Sequence, residues 1–364
     1  MKELLEDIAR WRAAGKQVAL ARVVGTDGSG PRDPGAAMAV NEDSEVLGSV
    51  SGGCVEGAVL TEGLKVLERG IPRLVTYGIA DDDAFAVGLT CGGTIHIFVD
   101  DFNDEIDLAI SEALQRDEPA ALATIVEGPG AGAKLLVRPD KEPIGTLGNA
   151  DLDRVVTRDA LGELEAGRTG TRNYGVRGEA RREEGVKVFI ESFALPPRMI
   201  IFGAIDFTAA LARLGRLLGY HVTVCDARPV FATKKRFPMA NEVVNDWPDR
   251  YLAVAGKELG PRDAVCVLTH DPKFDVPAIL AAVETKAGYL GVMGSRRTHD
   301  QRLVRLKEAG LDEAGYRRMM SPIGLDLGAR TPEETAVSIC AEIIALRTGR
   351  QAPSLRDAEG PIHR

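Results

Sequence analysis

The chain has 364 residues, 45% of them apolar, which is too much for one ordinary hydrophobic core and enough to fill two. Its 54 acidic side chains outnumber 45 basic ones, giving a formal net charge of −9, so it lacks the basic stripe that a nucleic-acid partner requires. No apolar run approaches the roughly 20 residues of a membrane span, and the amphipathic opening MKELLEDIARWRAAG has no signal-peptide core, which together predict a cytoplasmic protein.

After that opening helix the chain states one pattern twice. ALARVVG, AAMAV and VLGSVSGGCVEGAVLTEGLKVLERG are followed by RLVTYG and TIHIFVD. ALATIVEG, AKLLVRP and PIGTLGNADLDRVVTRDALGELEAG are followed by RTGTRNYG and VKVFIES. Each copy, 19–100 and 121–193, predicts two strands, a short third strand, a tight Gly turn, a helix of about four turns and further strands. The copies differ at the turn, where Gly52, Gly53 and Cys54 stand opposite Asn149, Ala150 and Asp151.

Cysteine usage sharpens that difference. Cys54, Cys91, Cys225, Cys266 and Cys340 form neither a disulfide ladder nor a CxxC pattern, as suits a reducing compartment. Cys54 is expected in the first helical turn after Ser51, Gly52 and Gly53, where unpaired N–H groups and the helix dipole stabilise a thiolate or another anion. Cys91 precedes Gly92 and Gly93 at a strand entrance and is expected to face the same pocket. For both thiols the competing reading is a small buried filler. Arg32, in the loop TDGSGPRDPG, is either an anion grip or a surface arginine. Asp81, Asp82 and Asp83 read as a solvated loop, with a helix cap or a hard-cation site as the alternatives.

Pro196 and Pro197 interrupt strand pairing and set the boundary between a domain of residues 1–195 and one of residues 198–350. RMIIFGAIDFTAALARLGRLLGYHVTVCDARP then reads as strand, turn, helix and strand. DAVCVLTHD, DVPAILAAVETKA, GYLGVMGS and RRTHDQRLVRLKEAG continue the alternation. The predicted class is therefore α/β: an N-terminal α/β domain with an internal pseudo-repeat, then a Rossmann-like, doubly wound parallel sheet. Ile205 and Thr208 occupy places where a pyrophosphate fingerprint needs glycine, which disfavours NAD(P) at Gly203. Asp226, 23 residues after Gly203, is a ribose holder or a plain turn residue.

His270 follows a strand end as a proton relay, metal ligand or structural histidine. Ser295, Arg296 and Arg297 open a helix as an anion site. Asp326 lies in a tight loop between Gly324 and Gly328, before a helix started by the capping box Thr331 to Glu334 with Pro332 at its first position. The tail, 351–364, reads as disordered.

The stretches GSVSGGCVEGAV, GLTCGGTI, HDPKFDVPAIL, GVMGSRR and SPIGLDLGARTPEETAVSI resemble the XdhC/CoxI family of accessory proteins for molybdenum hydroxylases. The resemblance implies a chaperone rather than a catalyst. It binds molybdenum cofactor (molybdopterin), supports its sulfuration and delivers it to a xanthine dehydrogenase-type enzyme. A cysteine desulfurase and a second copy of the chain are further candidate partners. On this reading Cys54 and Cys91 contact molybdenum or carry sulfur, and the cofactor-binding set is Arg32, Ser51, Gly52, Gly53, Cys54, Cys91, Gly92, Gly93, Gly203, Asp226, His270, Ser295, Arg296 and Asp326. The chain departs from the family at Gly203, Ala204, Ile205 and Asp206, where members carry Gly-Ala-Gly-His. An NAD(P)-dependent oxidoreductase and a ligand-free docking partner of a molybdoenzyme are the competing functions.

Overall fold

The computed structural model describes residues 1–28, 30, 32–78, 93–102, 104–179 and 185–358. It divides into one compact unit ending at Leu195 and a second beginning at Pro196.

In the first unit, helix α1 (Leu5–Ala13) leads into the first repeat: β1 (Val18–Asp27), β2 (Ala37–Asn41), β3 (Val46–Gly48), α2 (Glu56–Arg69), β4 (Arg73–Tyr77) and β5 (Thr94–Asp101). After α3 (Glu105–Gln115) the second repeat runs β6 (Ala120–Glu127), β7 (Lys134–Val137), β8 (Ile144–Gly145), α4 (Ala150–Ala166), β9 (Gly170–Gly175) and β10 (Gly185–Phe193). The two antiparallel sheets have the same strand order, β3-β2-β1-β5-β4 and β8-β7-β6-β10-β9. The internal repeat is thus a repeat of fold.

Strand alternation explains the layering. Ala19, Ala21 and Val23 of β1 share a core with Val59 and Val66 of α2. Their counterparts Ala121, Ala123 and Ile125 of β6 share one with Leu152, Val156 and Ala160 of α4. The intervening residues face the other repeat, where Val24 and Phe98 meet their counterparts Val126 and Phe189. Both helices end on a left-handed glycine, Gly70 and Gly167.

Between the sheets lies a charge cluster shut off from water. Arg22, 1% exposed, donates to Asp100 at 3.1 Å and lies 3.6 Å from Glu191. Asp100 and Glu191 occupy matching places, since they pair with Leu20 and Leu122 of the central strands. Arg22 also reaches its own counterpart, Thr124, at 3.5 Å. Lys134 donates to both oxygens of Asp107 at 2.8 and 2.9 Å, to Asp104 at 3.3 Å, and sits 3.2 Å from Asp100. Two cations thus face three buried carboxylates and the half-exposed Asp104. Burial, with Asp100 and Asp104 nearby, pushes Asp107 up to about 7 despite Lys134. Burial likewise raises Glu191, against the pull of Arg22.

The second unit runs β11 (Arg198–Phe202), α5 (Asp206–Leu217), β12 (His221–Cys225), β13 (Glu242–Val244), α6 (Pro248–Ala255), β14 (Ala264–Val267), α7 (Pro272–Val283), β15 (Tyr289–Val292), α8 (Arg296–Glu308), α9 (Glu313–Arg318), β16 (Met319–Met320) and α10 (Pro332–Thr348). All strand pairs are parallel, in the order β13-β12-β11-β14-β15-β16. The order reverses at β11, and Phe202 pairs with Cys225 on one side and Val267 on the other, so the loops after β11, β12 and β14 leave the sheet level with one another. That edge is where doubly wound sheets bind ligands. The last helix begins with the expected capping box, Thr331 and Glu334, and with Pro332 at its first position.

Removing Arg22 leaves Glu191 without its cation in the interior and Asp100 with Lys134 alone. Arg22→Ala is expected to cost about 3–5 kcal/mol in urea unfolding, and adding Glu191→Gln to recover part of it. Asp107 binds its proton more tightly folded than unfolded, so its contribution to stability falls as pH rises from the ordinary 3.8 through about 7. The unfolding midpoint of Asp107→Asn should therefore gain on wild type across that window, whatever the offset at its acid end.

Candidate functional site

The turn that separates the two repeats chemically runs from Ser49 to Glu56. Gly52 and Gly53 hold φ of 76° and 115°, a region closed to most side chains. A side chain at either would meet nothing within 4 Å, so the turn is open on that side. Cys54 follows, half-buried against the α2 core.

The expectation that Cys54 lies in the first helical turn is overturned. The helix begins at Glu56 with Val55 as its N-cap residue, and Cys54 precedes both. The cause is the Glu56 carboxylate, which folds back into the turn. It accepts from Ser51 N and Gly53 N at 2.9 Å and from Val55 N at 3.2 Å, and from the Ser49 and Ser51 hydroxyls at 2.6 and 2.5 Å. The remaining N–H groups go to hydroxyls: Gly52 to Ser49, and Cys54 to Ser51, both at 2.9 Å. An internal anion therefore occupies the nest expected to bind an external one, with the half-buried Cys54 at its edge. Burial acts to raise Glu56, but these hydrogen bonds outweigh it and hold the carboxyl at about 2.

The second repeat shows what the first modified. Ser49 and Glu56 correspond to Thr146 and Asp153, which keep the same contact at 2.7 Å. There the chain lacks the two glycines, Asn149 caps the helix through Asp151 N and Leu152 N, and α4 starts at Ala150, three places earlier than α2 in the repeat register. Glu56 is absent from the sequence-derived candidates. The signal for it is the shared spacing of a hydroxyl and an acid seven residues on, visible once the copies are aligned.

Arg32 is exposed in its loop, and Gly93 is buried. Cys91 and Gly92, with Asp81 to Asp83, lie outside the described residues. Among the described residues no group of three or more His, Cys, Asp or Glu side chains is arranged to hold a metal ion. Cys225, Cys266 and Cys340 are buried, and burial pushes the Cys225 and Cys340 thiols up to about 12 and about 11. Cys54 is the described thiol with access to water.

In the second unit, Gly203 (φ 107°) packs so closely on the loop after β14 that a Cβ would lie 3.0 Å from the Thr269 methyl. The N–H of Ala204, which a pyrophosphate would use, donates to Asp226 at 2.7 Å. Asp226 also takes Arg228 N at 2.8 Å and the Arg228 guanidinium at 2.9 and 2.8 Å, so both its oxygens are engaged inside the protein. Burial acts against its charge, yet the bonds from Arg228 and Ala204 hold it below the ordinary carboxylate range.

His270 is exposed beyond β14. Beneath it, Thr269 donates to Asp275, which accepts from Arg302 at 3.1 and 2.8 Å. Ser295 caps α8 through Thr298 N at 3.1 Å, and Arg296 opens the helix, exposed. Asp326 is exposed in the loop before α10. Gly203, Asp226, His270, Ser295 and Arg296 thus share the C-terminal edge of one sheet.

Residues 11–78 and 113–175, one segment in each repeat, match the XdhC and CoxI family, and residues 199–343 match the XdhC Rossmann domain. The chain is 26% identical over 340 residues to a probable xanthine dehydrogenase subunit of Bacillus subtilis (strain 168), covering 91% of this chain and 94% of that one. It is 27% identical over 342 residues to the molybdenum cofactor insertion chaperone PaoD of Escherichia coli (strain K12), covering 94% and 87%. A crystal structure of a xanthine dehydrogenase from Bacillus halodurans superposes with a TM-score of 0.69 at 25% identity, over 97% of each chain. No helix of the described residues is long and apolar enough to cross a membrane.

If the carboxylate closes the turn over Cys54, Glu56→Ala should raise the rate of iodoacetamide labelling at Cys54 by a factor of about three or more, read by peptide mass mapping. Because Glu56 titrates at about 2, the turn's amides should keep their exchange protection as pH falls through 4.5 and lose it only near about 2.

Proposed function

We propose, since this chain belongs to the XdhC and CoxI family, that it is an accessory protein that carries molybdenum cofactor to a xanthine dehydrogenase-type molybdenum hydroxylase, with Cys54 as its soft ligand to the cargo. The observation that carries this reading is the saturated turn. Every N–H from Ser51 to Val55 that the turn offers is consumed by Glu56 or a serine, so the turn has no amide to give a phosphate, and the half-buried Cys54 lies beside an open glycine pair. Such a surface suits a sulfur-rich metal centre better than a phosphate. The cargo brings the redox chemistry of its metal to the recipient enzyme, and this chain's residues hold and shelter it.

Support for sulfuration belongs to the same proposal. A thiol that reaches the metal end of the cargo is placed to work beside a sulfur donor such as a cysteine desulfurase, and the three buried cysteines are not. A dinucleotide-dependent oxidoreductase finds no support at Gly203, because Asp226 already takes the Ala204 amide. The name of PaoD favours the carrier reading over a ligand-free docking partner.

The test is anaerobic purification from cells that make the cofactor, with molybdenum and pterin assayed on wild type, Cys54→Ala and Cys54→Ser. Wild type is expected to retain both, and each variant to lose about tenfold or more at unchanged folding. Equal retention would remove Cys54 from the site, and a wild type free of both would favour the docking partner.

A further inference from the structure

We infer that the second unit carries a nucleotide-binding ledge, built from Arg236, Phe231, Arg228 and Trp247, in place of the glycine-rich grip that its turn has lost. The inference goes beyond the cargo reading and stands or falls separately from Cys54.

Arg236 donates to the Ala204 carbonyl at 3.2 Å, so a guanidinium sits on the very turn whose amide Asp226 has taken. Arg236 makes no ion pair with any described carboxylate, and neither do its neighbours Lys234 and Lys235. Lys234 is spent on the carbonyls of Ala240 and Asn241. In a chain of net charge −9 these are unbalanced cations at the topological switch of a parallel sheet. A guanidinium with spare donors is matched to the oxygens of a phosphate.

The aromatic half of the site lies alongside. The Phe231 ring is flanked by Arg228 at 4.5 Å and Arg236 at 5.3 Å, and Arg228 lies 6.0 Å from the Phe274 ring, which meets Trp247 at 5.1 Å. Phe231 and Trp247 stay 39% and 38% exposed, although rings of that size are normally covered. Alternating guanidinium and ring faces, left open to water, match an aromatic base, which stacks on both. A phosphate grip next to stacking faces defines a nucleoside 5′-monophosphate, free or as one end of a larger molecule.

The experiment titrates the full chain, in a Trp11→Phe background, with GMP, CMP, AMP, their nucleosides and inorganic phosphate. Trp247 emission and calorimetry report binding. At least one nucleotide should bind saturably and about tenfold tighter than both its nucleoside and phosphate. Arg236→Gln should reduce it to the nucleoside's affinity, and Phe231→Ala to that of phosphate. Both side chains are exposed, so circular dichroism should show an unchanged fold. Phosphate binding as tightly as every nucleotide would reduce the site to an anion patch. No saturable nucleotide binding, or an Arg236→Gln chain equal to wild type, would overturn the inference. Either result with metal retention intact would leave the cargo reading standing.

Discussion

The first unit depends on a cluster of charges that cannot reach water. Arg22 and Lys134 sit between two sheets of identical topology, and the carboxylates that neutralise them come from both repeats: Asp100 from the first, Glu191 from the second, Asp107 from the helix that joins them. An apolar seam of the same area tolerates sliding, because hydrophobic contact has no direction. A buried guanidinium with carboxylate partners on two sheets does not, since each displacement strands a charge. The cluster therefore fixes the register of one repeat on the other, and with it the place of the turn between β3 and α2.

Comparison of the two repeats shows how Cys54 is placed there. Both copies keep a hydroxyl and an acid across the turn, at Ser49 and Glu56 and at Thr146 and Asp153. In the second copy the helix starts early and the turn is an ordinary capped entrance. Two glycines in the first copy let the chain take positive φ, postpone the helix and draw the longer Glu56 carboxylate into the space left. The result is a hydrogen-bonded loop with its own anion inside and a cysteine near its end. The second unit repeats the device: its turn after β11 is closed by Asp226 and not by a ligand. In both units an internal carboxylate takes turn amides that an external anion would otherwise use.

Much of this was legible in the sequence because it rests on local periodicity. The alternation of β1 and β6, the glycine-ended helices and the β-α alternation after Pro197 are properties of neighbouring residues, and they suffice for the three sheets and for the repeat. Partnerships made across the fold were not legible. Glu56 reads as the first turn of an amphipathic helix, and nothing within the helix tells that its side chain points backward. Arg22 lies in an otherwise apolar strand, and its partners are 78 and 169 residues away in the chain. Asp226 invited a ribose reading because its position is right; its occupancy by Arg228 is set by a turn whose geometry the sequence leaves open.

The central claim is that the first copy's turn, and not the repeat as a whole, makes the carrier. The direct measurement replaces Gly52, Gly53 and Cys54 with the second copy's Asn, Ala and Asp, and compares molybdenum per chain with wild type after anaerobic purification. The account predicts a chain that keeps the wild-type circular dichroism and carries no molybdenum. Molybdenum retained at the wild-type level by that folded chain would contradict it.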